Sequence, residues 1–325
     1  MPPAIMIITS DMGKKYTPRH TDRQANKIVV LTNHGDTPKP LFEFLSEGDY
    51  RPYIFGTPKR NDIKVWLKYG HVKAGGVVTS QFDTPVEPGD EVSVNLTRPW
   101  PRLNNPRLKI VYEDDDIIVV NKGYGLLSVG TGSAAKLPTA YNILKDYVKS
   151  EHPDNKIFVV HRLARGTSGL MLFAKNIEAQ PALQHNWNNM VLARTYVAGV
   201  EGSMEQDSGY IRTDLVETSA YEVYSTKEPG KGQTAATHYR VLRRGHGYSL
   251  VEFSLDTGRK NQIRVHAHDL GHPIVGDRKY GAKASPIHRL ALHARTLRFA
   301  HPVTMRDMRF ELPIPSKFAG LVKYS

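Results

Sequence analysis

Apolar residues in this chain fall mostly into short runs bounded by Gly, Pro, Asn and Asp, which is the punctuation of strands and turns. Ile110-Val111-Tyr112 and Ile117 to Val120 flank the acidic turn Glu113 to Asp116, as the two strands of a hairpin do. Further strands are predicted at Phe158 to Leu163, Leu170 to Ala174, Thr195 to Val200, His238 to Leu242, Tyr248 to Leu255 and Arg289 to Phe299. Helical spacing is limited to a few stretches. Thr139 is placed to cap a helix with Tyr141, Leu144, Tyr147 and Val148 along one side. A second helix is predicted after Asn176, with Ala179, Leu183, Trp187 and Met190 on a shared face. Many strands with few helices between them argue for an α+β fold built on a mainly antiparallel sheet.

The same pattern divides the chain. Residues 1–37 mix charge, Thr, Asn, His and Gly around one apolar patch, Ile28 to Leu31, and read as an arm. Residues 38–97 form a compact α+β module: a short helical stretch, a basic helical stretch, then brief strands separated by Gly75-Gly76 and Pro88-Gly89-Asp90. Residues 98–108 carry Pro99, Pro101 and Pro106 with no hydrophobic period and read as a linker. Residues 109–325 read as one larger domain.

Composition narrows the partners. A chain of 325 residues with 40% hydrophobic content is long enough for one large domain and a small one. Lys and Arg number 44 against 32 Asp and Glu, a formal charge of +12, which favours a polyanion such as nucleic acid or an acidic membrane surface. No apolar run reaches membrane-spanning length and the first residues lack a signal-peptide pattern, so a cytoplasmic protein with no membrane partner is expected. Cysteine is absent, which excludes disulfides, thiolate zinc sites and cysteine nucleophiles.

The segment with most chemistry is Val160-His161-Arg162-Leu163-Ala164-Arg165-Gly166-Thr167-Ser168-Gly169-Leu170, a polar, two-arginine cluster between two strand-like runs. By itself it reads equally as a surface turn or as an anion-binding loop at a sheet end. It resembles the central motif of RluA-type RNA pseudouridine synthases, His-Arg-Leu-Asp followed by Thr-Ser-Gly-Leu. Three further stretches resemble that family in the right order. Tyr112-Glu113-Asp114 with Asn121-Lys122 and Gly125-Leu126-Leu127 is similar to its first motif, with Gly123 where proline is usual. Arg194-Thr195-Tyr196-Val197-Ala198 is similar to its tyrosine-bearing strand, and Thr257 to His266 to its last motif, with Asn261 where histidine is usual.

The resemblance implies the pseudouridine synthase fold and a cofactor-free isomerisation. The N-glycosidic bond breaks, the uracil turns, and it rejoins the ribose through C5. In the family an aspartate attacks the sugar, or takes its 2′ proton in a competing account, and an arginine keeps that carboxylate charged. By position that arginine is Arg264. Arg162 matches the residue that fills the space left by the flipped base, and Tyr196 matches the ring on which the uracil stacks. Lys122, His161 and Arg165, around the same motifs, are expected to contact RNA. Ala164 stands where the resemblance demands the aspartate, and a methyl group neither attacks a sugar nor accepts a proton. Two explanations follow: an enzyme inactivated at its nucleophile, which the retention of Arg162, Tyr196 and Arg264 favours, or a natural pseudoenzyme that only binds RNA, towards which Gly123 and Asn261 tilt. In either case Arg264 is expected to lose its partner.

Before that domain, Arg60, Lys64 and Lys68 fall four apart on one helix face beside Lys59, with Ile63 and Leu67 turned inward. Such a pattern is commonly just a solvated face. Together with Gly70 to Lys73, Val77 to Thr79 and Val86 to Val92 it resembles the small α-L RNA-binding module often attached to these synthases, which implies phosphate contacts with little sequence choice. His266, His268 and His272 lack partners at metal-ligand spacing, so no metal site is expected. The predicted partner is a structured RNA, ribosomal or transfer, with no small-molecule cofactor. A basic ribosome-associated structural protein would account for the charge but not for four ordered motifs.

Overall fold

The computed structural model describes residues 5–9, 27–51, 54, 57–130, 137–228 and 230–323. Its amino-terminal part is a small α+β unit. Strand Ile28–Thr32 pairs with Glu91–Asn95, which pairs in turn with Val72–Ala74 and that with Val77–Val78. Helices Leu41–Glu47 and Arg60–Tyr69 pack on this sheet through Leu41, Leu45, Ile63 and Leu67, against Val29, Val72, Val92 and Val94. The arm expected over residues 1–37 is therefore corrected at its second half. Ile28 to Thr32 alternates buried and exposed positions and belongs to the module's sheet, because its apolar side has a core to enter. Ile5–Thr9 is also a strand and pairs antiparallel with Asp307–Glu311 of the larger sheet.

Residues 98–107 run without regular structure but not without contacts, and Leu108, expected in the linker, already opens strand Leu108–Glu113. Trp100 N–H donates to Gly70 O (2.9 Å), and the Lys73 ammonium lies 4.5 Å from the Trp100 ring centroid while pairing with Glu151 at 2.8 Å. Gly76, at φ +73°, packs so closely on the larger domain that a Cβ there would lie 1.5 Å from Glu113 O.

The larger domain is organised by a mixed sheet. Its main path runs Val223–Thr226, Ser208–Glu217, Gln233–Gly245, Tyr248–Leu255, Val191–Glu201, Leu292–Ala300, Ser168–Ala174, Ile117–Lys122 and Leu108–Glu113. Between the strands of this sheet every described pairing is antiparallel except that of Ser168–Ala174 with Leu292–Ala300. The predicted hairpin forms, and Thr139 caps helix Ala140–Glu151 by accepting from Asn142 N–H (3.0 Å). Two expectations are corrected. The strand predicted to reach Leu163 stops at Val159, because His161 takes over the hydrogen bonding beyond it. The helix after Asn176 is two short helices, Ala179–His185 and Trp187–Met190, broken at Asn186, whose backbone is outside the helical region. Among the described residues no helix is long and apolar enough to cross a membrane.

The turn of the first hairpin is tied down by buried charge. Glu113 accepts from Lys175 Nζ (2.7 Å) and from the Tyr147 hydroxyl (2.7 Å), and its side chain is 2% exposed. Burial by itself would raise the Glu113 carboxyl, but the Lys175 and Lys73 charges and the two hydrogen bonds outweigh it and hold the group below its ordinary value of 4.5. A depressed acid stabilises the fold at pH values above its unfolded pKa and stops doing so as pH falls through its folded one. Lys175→Met is therefore expected to cost about 3 kcal/mol at neutral pH, since it strands a buried carboxylate. Because that carboxylate then gains from protonation, the deficit should shrink below pH 4.5. Urea unfolding at neutral and acid pH checks both statements, and an equal deficit at both would refute the ionic account.

Candidate active site

The segment around Ala164 is held in place by backbone hydrogen bonds rather than by strand pairing. Ser128 Oγ donates to Leu163 O (2.7 Å) and accepts from Leu163 N–H (3.1 Å), so one hydroxyl fixes both polar groups of the residue before Ala164. After it, Ala164 O accepts from Thr167 N–H (3.1 Å) and closes a turn. Arg165 is clamped to the preceding loop in both directions: Gly125 N–H donates to Arg165 O (2.7 Å) and Arg165 Nε to Gly125 O (3.2 Å). Ala164 is exposed and lines a cleft of about 990 Å³.

The rest of the cleft lining comes largely from two segments distant in the chain. Strand Val191–Glu201 sends Arg194 and Tyr196, two residues apart, to the same side. The turn Thr257 to Asn261 then leads into helix Gln262–Asp269, which carries Arg264. Gln262 fixes that turn. Its Nε2 donates to Ala236 O (2.9 Å) and Thr237 Oγ1 (2.8 Å), and its Oε1 accepts from Arg259 N–H (2.9 Å). Asn261 stands in the left-handed region, at φ +56°, just before the helix. Arg162, Ala164, Tyr196 and Arg264, drawn together above by motif alone, line this one cleft.

Their surroundings differ from expectation in one respect. Arg264 is not left without a partner by the alanine. Its Nε and Nη2 each donate to Asp277 at 2.6 Å, its Nη1 donates to Asn261 Oδ1 (3.0 Å), and its guanidinium lies 4.6 Å from the Tyr280 ring centroid. A bidentate pair with a carboxylate that is 2% exposed keeps this arginine ordered whatever stands at 164. Arg162 is exposed and makes no side-chain hydrogen bond in the described structure, which leaves it free to enter a gap. Burial raises the Tyr196 phenol above its ordinary value, so the ring enters the site neutral.

Of the residues expected to contact RNA, Lys122 does other work. Lys122 is fully buried, and its ammonium donates to Leu126 O (2.8 Å) and Gly123 O (3.1 Å). Burial, then the Arg289 charge, brings it down to about 8. Its task is to hold the 123–127 loop. His161 Nε2 accepts from Leu172 N–H (2.9 Å), and the ring packs 4.7 Å from Trp187. Burial, then Arg194, takes its pKa down to about 3, so at neutral pH the half-buried ring lines the cleft uncharged, as a backbone acceptor and not as a cation for phosphate. Lys59, Arg60, Lys64 and Lys68 remain exposed on the small module, with Arg60 over the Phe42 ring at 4.7 Å.

Arg194 is the residue that the sequence reading missed. It lines the cleft, lies 5.6 Å from the Trp187 ring centroid, and has no acidic partner among the described residues. Desolvation lowers its pKa. The signal was available, because strand period two puts positions 194 and 196 on one face. The histidines of the last motif are accounted for internally: His266 contacts Thr213 Oγ1 and Thr237 Oγ1, His268 contacts Tyr280 O, and His272 contacts Glu201 O. A different trio, Asp114, Asp116 and His301, has its ligand-capable atoms within 4.8 Å of one another. Asp114 there already accepts from Tyr112, from His301 and from two backbone N–H groups, and none of the three lines the cleft.

Residues 116–269 match the family model for RNA pseudouridylate synthase. The chain is 35% identical over 307 residues to "Uncharacterized RNA pseudouridine synthase YlyB" of Bacillus subtilis, covering 92% of this chain and 98% of that one. It is 32% identical over 290 residues to "Ribosomal large subunit pseudouridine synthase D" of Pasteurella multocida, covering 83% and 88%. The human structure "RNA Pseudouridylate Synthase Domain Containing 1" superposes with a TM-score of 0.52 at 26% identity, over 65% of this chain and 84% of that one. That of "Domain Containing 4" superposes at 0.54 and 24% identity, over 65% and 90%, and carries the fold alone. Identity sustained along nearly the full length of a curated synthase, on the fold those synthases share, makes this chain a member of the RluA-type RNA pseudouridine synthase family.

Proposed function

We propose that this chain binds a structured RNA, ribosomal RNA foremost, presents a flipped uridine to the cleft, and leaves it unisomerised because position 164 carries no carboxylate. The observation behind this is the composition of the cleft. The remaining parts converge there, while its lining carboxylates, Glu217 and Asp256, contact Lys260 and His238. In this reading Arg162 fills the space the base vacates and the neutral Tyr196 ring supports the uracil by stacking. With an aspartate at 164, the carboxylate would open the reaction at the ribose, and the C5 proton would leave once C5 had bonded to C1′. The small module adds affinity through phosphate contacts from Lys59, Arg60, Lys64 and Lys68. Ribosomal RNA is favoured over transfer RNA because several of the similar proteins are named for the large ribosomal subunit.

The test is tritium release from C5-labelled ribosomal and transfer RNA by the Ala164→Asp chain beside the parent. A second reading, a natural RNA-binding protein with no catalytic use for the cleft, is favoured by one observation: Arg264 is fully engaged by Asp277 without any carboxylate at 164. Release by neither chain, with both binding RNA, would decide for that reading.

Arg194 supplies a separate expectation. A cation lining the cleft with no acidic partner among the described residues suits a phosphate of the bound strand. Arg194→Gln should weaken RNA binding and reduce the slope of log affinity against log salt by about one. An unchanged slope in filter binding would exclude a phosphate contact.

A further inference from the structure

The turn joining Ser208–Glu217 to Val223–Thr226 carries a residue at odds with its backbone. Tyr221 N–H donates to Thr218 O (2.9 Å) and Thr218 N–H to Glu222 O (2.8 Å), with Thr218 Oγ1 accepting from Glu222 N–H (3.1 Å). This is a short hairpin connection whose last position takes a left-handed conformation, and Tyr221 stands there at φ +61°. Glycine or asparagine is the residue such a position favours; a bulky side chain is strained. Burial gives nothing back, since Tyr221 is 73% exposed. Both the strain and the exposed ring count against stability, and strain that persists at a surface turn is the kind of outlier that function explains.

The neighbours of the ring say what function. Lys260 Nζ lies 5.2 Å from its centroid and is itself ion-paired with Glu217, while Lys279 Nζ holds the Tyr221 carbonyl at 3.4 Å. Tyr221, Arg259 and Lys260 line the same cleft as Ala164 and Tyr196, and all three are exposed, so they form its rim. The other exposed tyrosines nearby are placed differently. Tyr210 packs on His238 at 4.5 Å, and neither Tyr210 nor Tyr224 lines the cleft.

We propose that Tyr221 is a stacking platform for an unpaired base next to the uridine held in the cleft, with Arg259 and Lys260 facing the adjoining phosphates. This rests on the RNA-binding reading above and adds a subsite to it. An aromatic face flanked by cations is what binds single-stranded nucleic acid without strong base preference, because every base offers a π-face and every linkage a charge. The subsite would therefore favour targets in which the neighbour of the uridine is unstacked, as in loops and bulges, over uridines inside a continuous helix.

The experiment is fluorescence anisotropy with a fluorescein-labelled RNA hairpin bearing a uridine-rich loop, titrated with the full chain at several salt concentrations. Tyr221→Gly is expected to bind about tenfold more weakly with an unchanged salt slope, and to melt no lower than the parent because glycine suits the backbone. Tyr221→Phe and Tyr221→Trp should keep the parent affinity, and Lys260→Gln should lower the salt slope by about one. Parent-like affinity in Tyr221→Gly overturns the proposal. So does a slope loss in Tyr221→Gly equal to that of Lys260→Gln, since the ring would then only position the ammonium. A parent chain that fails to bind the hairpin overturns the RNA-binding reading and this inference with it, whereas a binding parent with indifferent Tyr221 variants overturns the inference alone.

Discussion

Ala164→Asp is expected to convert a chain that releases no tritium from C5-labelled uridine in RNA into one that does, with a gain of at least about 10⁴-fold, the scale on which removal of a nucleophile is felt. The site is ready for the carboxylate. Leu163 is fixed by Ser128 through both its backbone groups, Arg165 is clamped to Gly125, and the exposed Ala164 methyl group marks where the new side chain starts. Tyr196 and Arg264 line the same cleft. Ala164→Asn is the control: it offers nearly the same shape, does not ionise, and should release no tritium while binding RNA as the parent does. Activity in the asparagine variant would exclude the nucleophile account, and silence in the aspartate variant would favour a protein that only binds.

The second large effect is structural and concerns Gly169. This residue pairs with Lys122 on one side and Ala294 on the other, and the Ala294 side is where Ser168–Ala174 runs parallel to Leu292–Ala300. Its φ is +119°, and a Cβ would lie 2.1 Å from Ala294 O and 2.6 Å from Ala294 N. Both obstacles are backbone atoms of a central strand, so no side-chain rotation relieves them. Gly169→Ala should therefore cost on the order of 4–5 kcal/mol, in the range reserved for backbone strain and core disruption together. Urea unfolding measures it, and a loss below about 1 kcal/mol would mean that the two strands separate more easily than their packing implies. Tritium release tested in the Ala164→Asp background should fall along with stability, because Thr167 and Ser168 lead directly from the loop that carries position 164.

Much of the site was legible in the residues. Period two in Arg194-Thr195-Tyr196 already puts two side chains on one face, and the polar Val160 to Ser168 stretch between apolar runs already looked like a loop at a sheet end. Lys122 was misjudged because charge and motif position do not tell whether a side chain points into the core. Lys122 satisfies two carbonyls where water cannot reach, and His161 serves as a backbone acceptor beside Trp187. Ile28 to Thr32 was misjudged because a five-residue strand has no identity until a partner covers it, and its partner lies more than fifty residues away.

Local patterning by itself thus determined the strand-rich α+β class, the Thr139 cap and the first hairpin. The ordered motifs added the family and the absence of a carboxylate at 164. Those features depend on neighbours in sequence, whose spacing fixes which face a side chain takes. Only the tertiary structure decided that Arg264 pairs with Asp277, that Arg194 reaches the cleft with no acidic partner among the described residues, that Gly169 admits a parallel strand, and that Tyr221 stands strained at the rim. Each of these is a meeting between segments far apart in the chain, and burial, charge partners and close backbone approach are set by what the fold brings together.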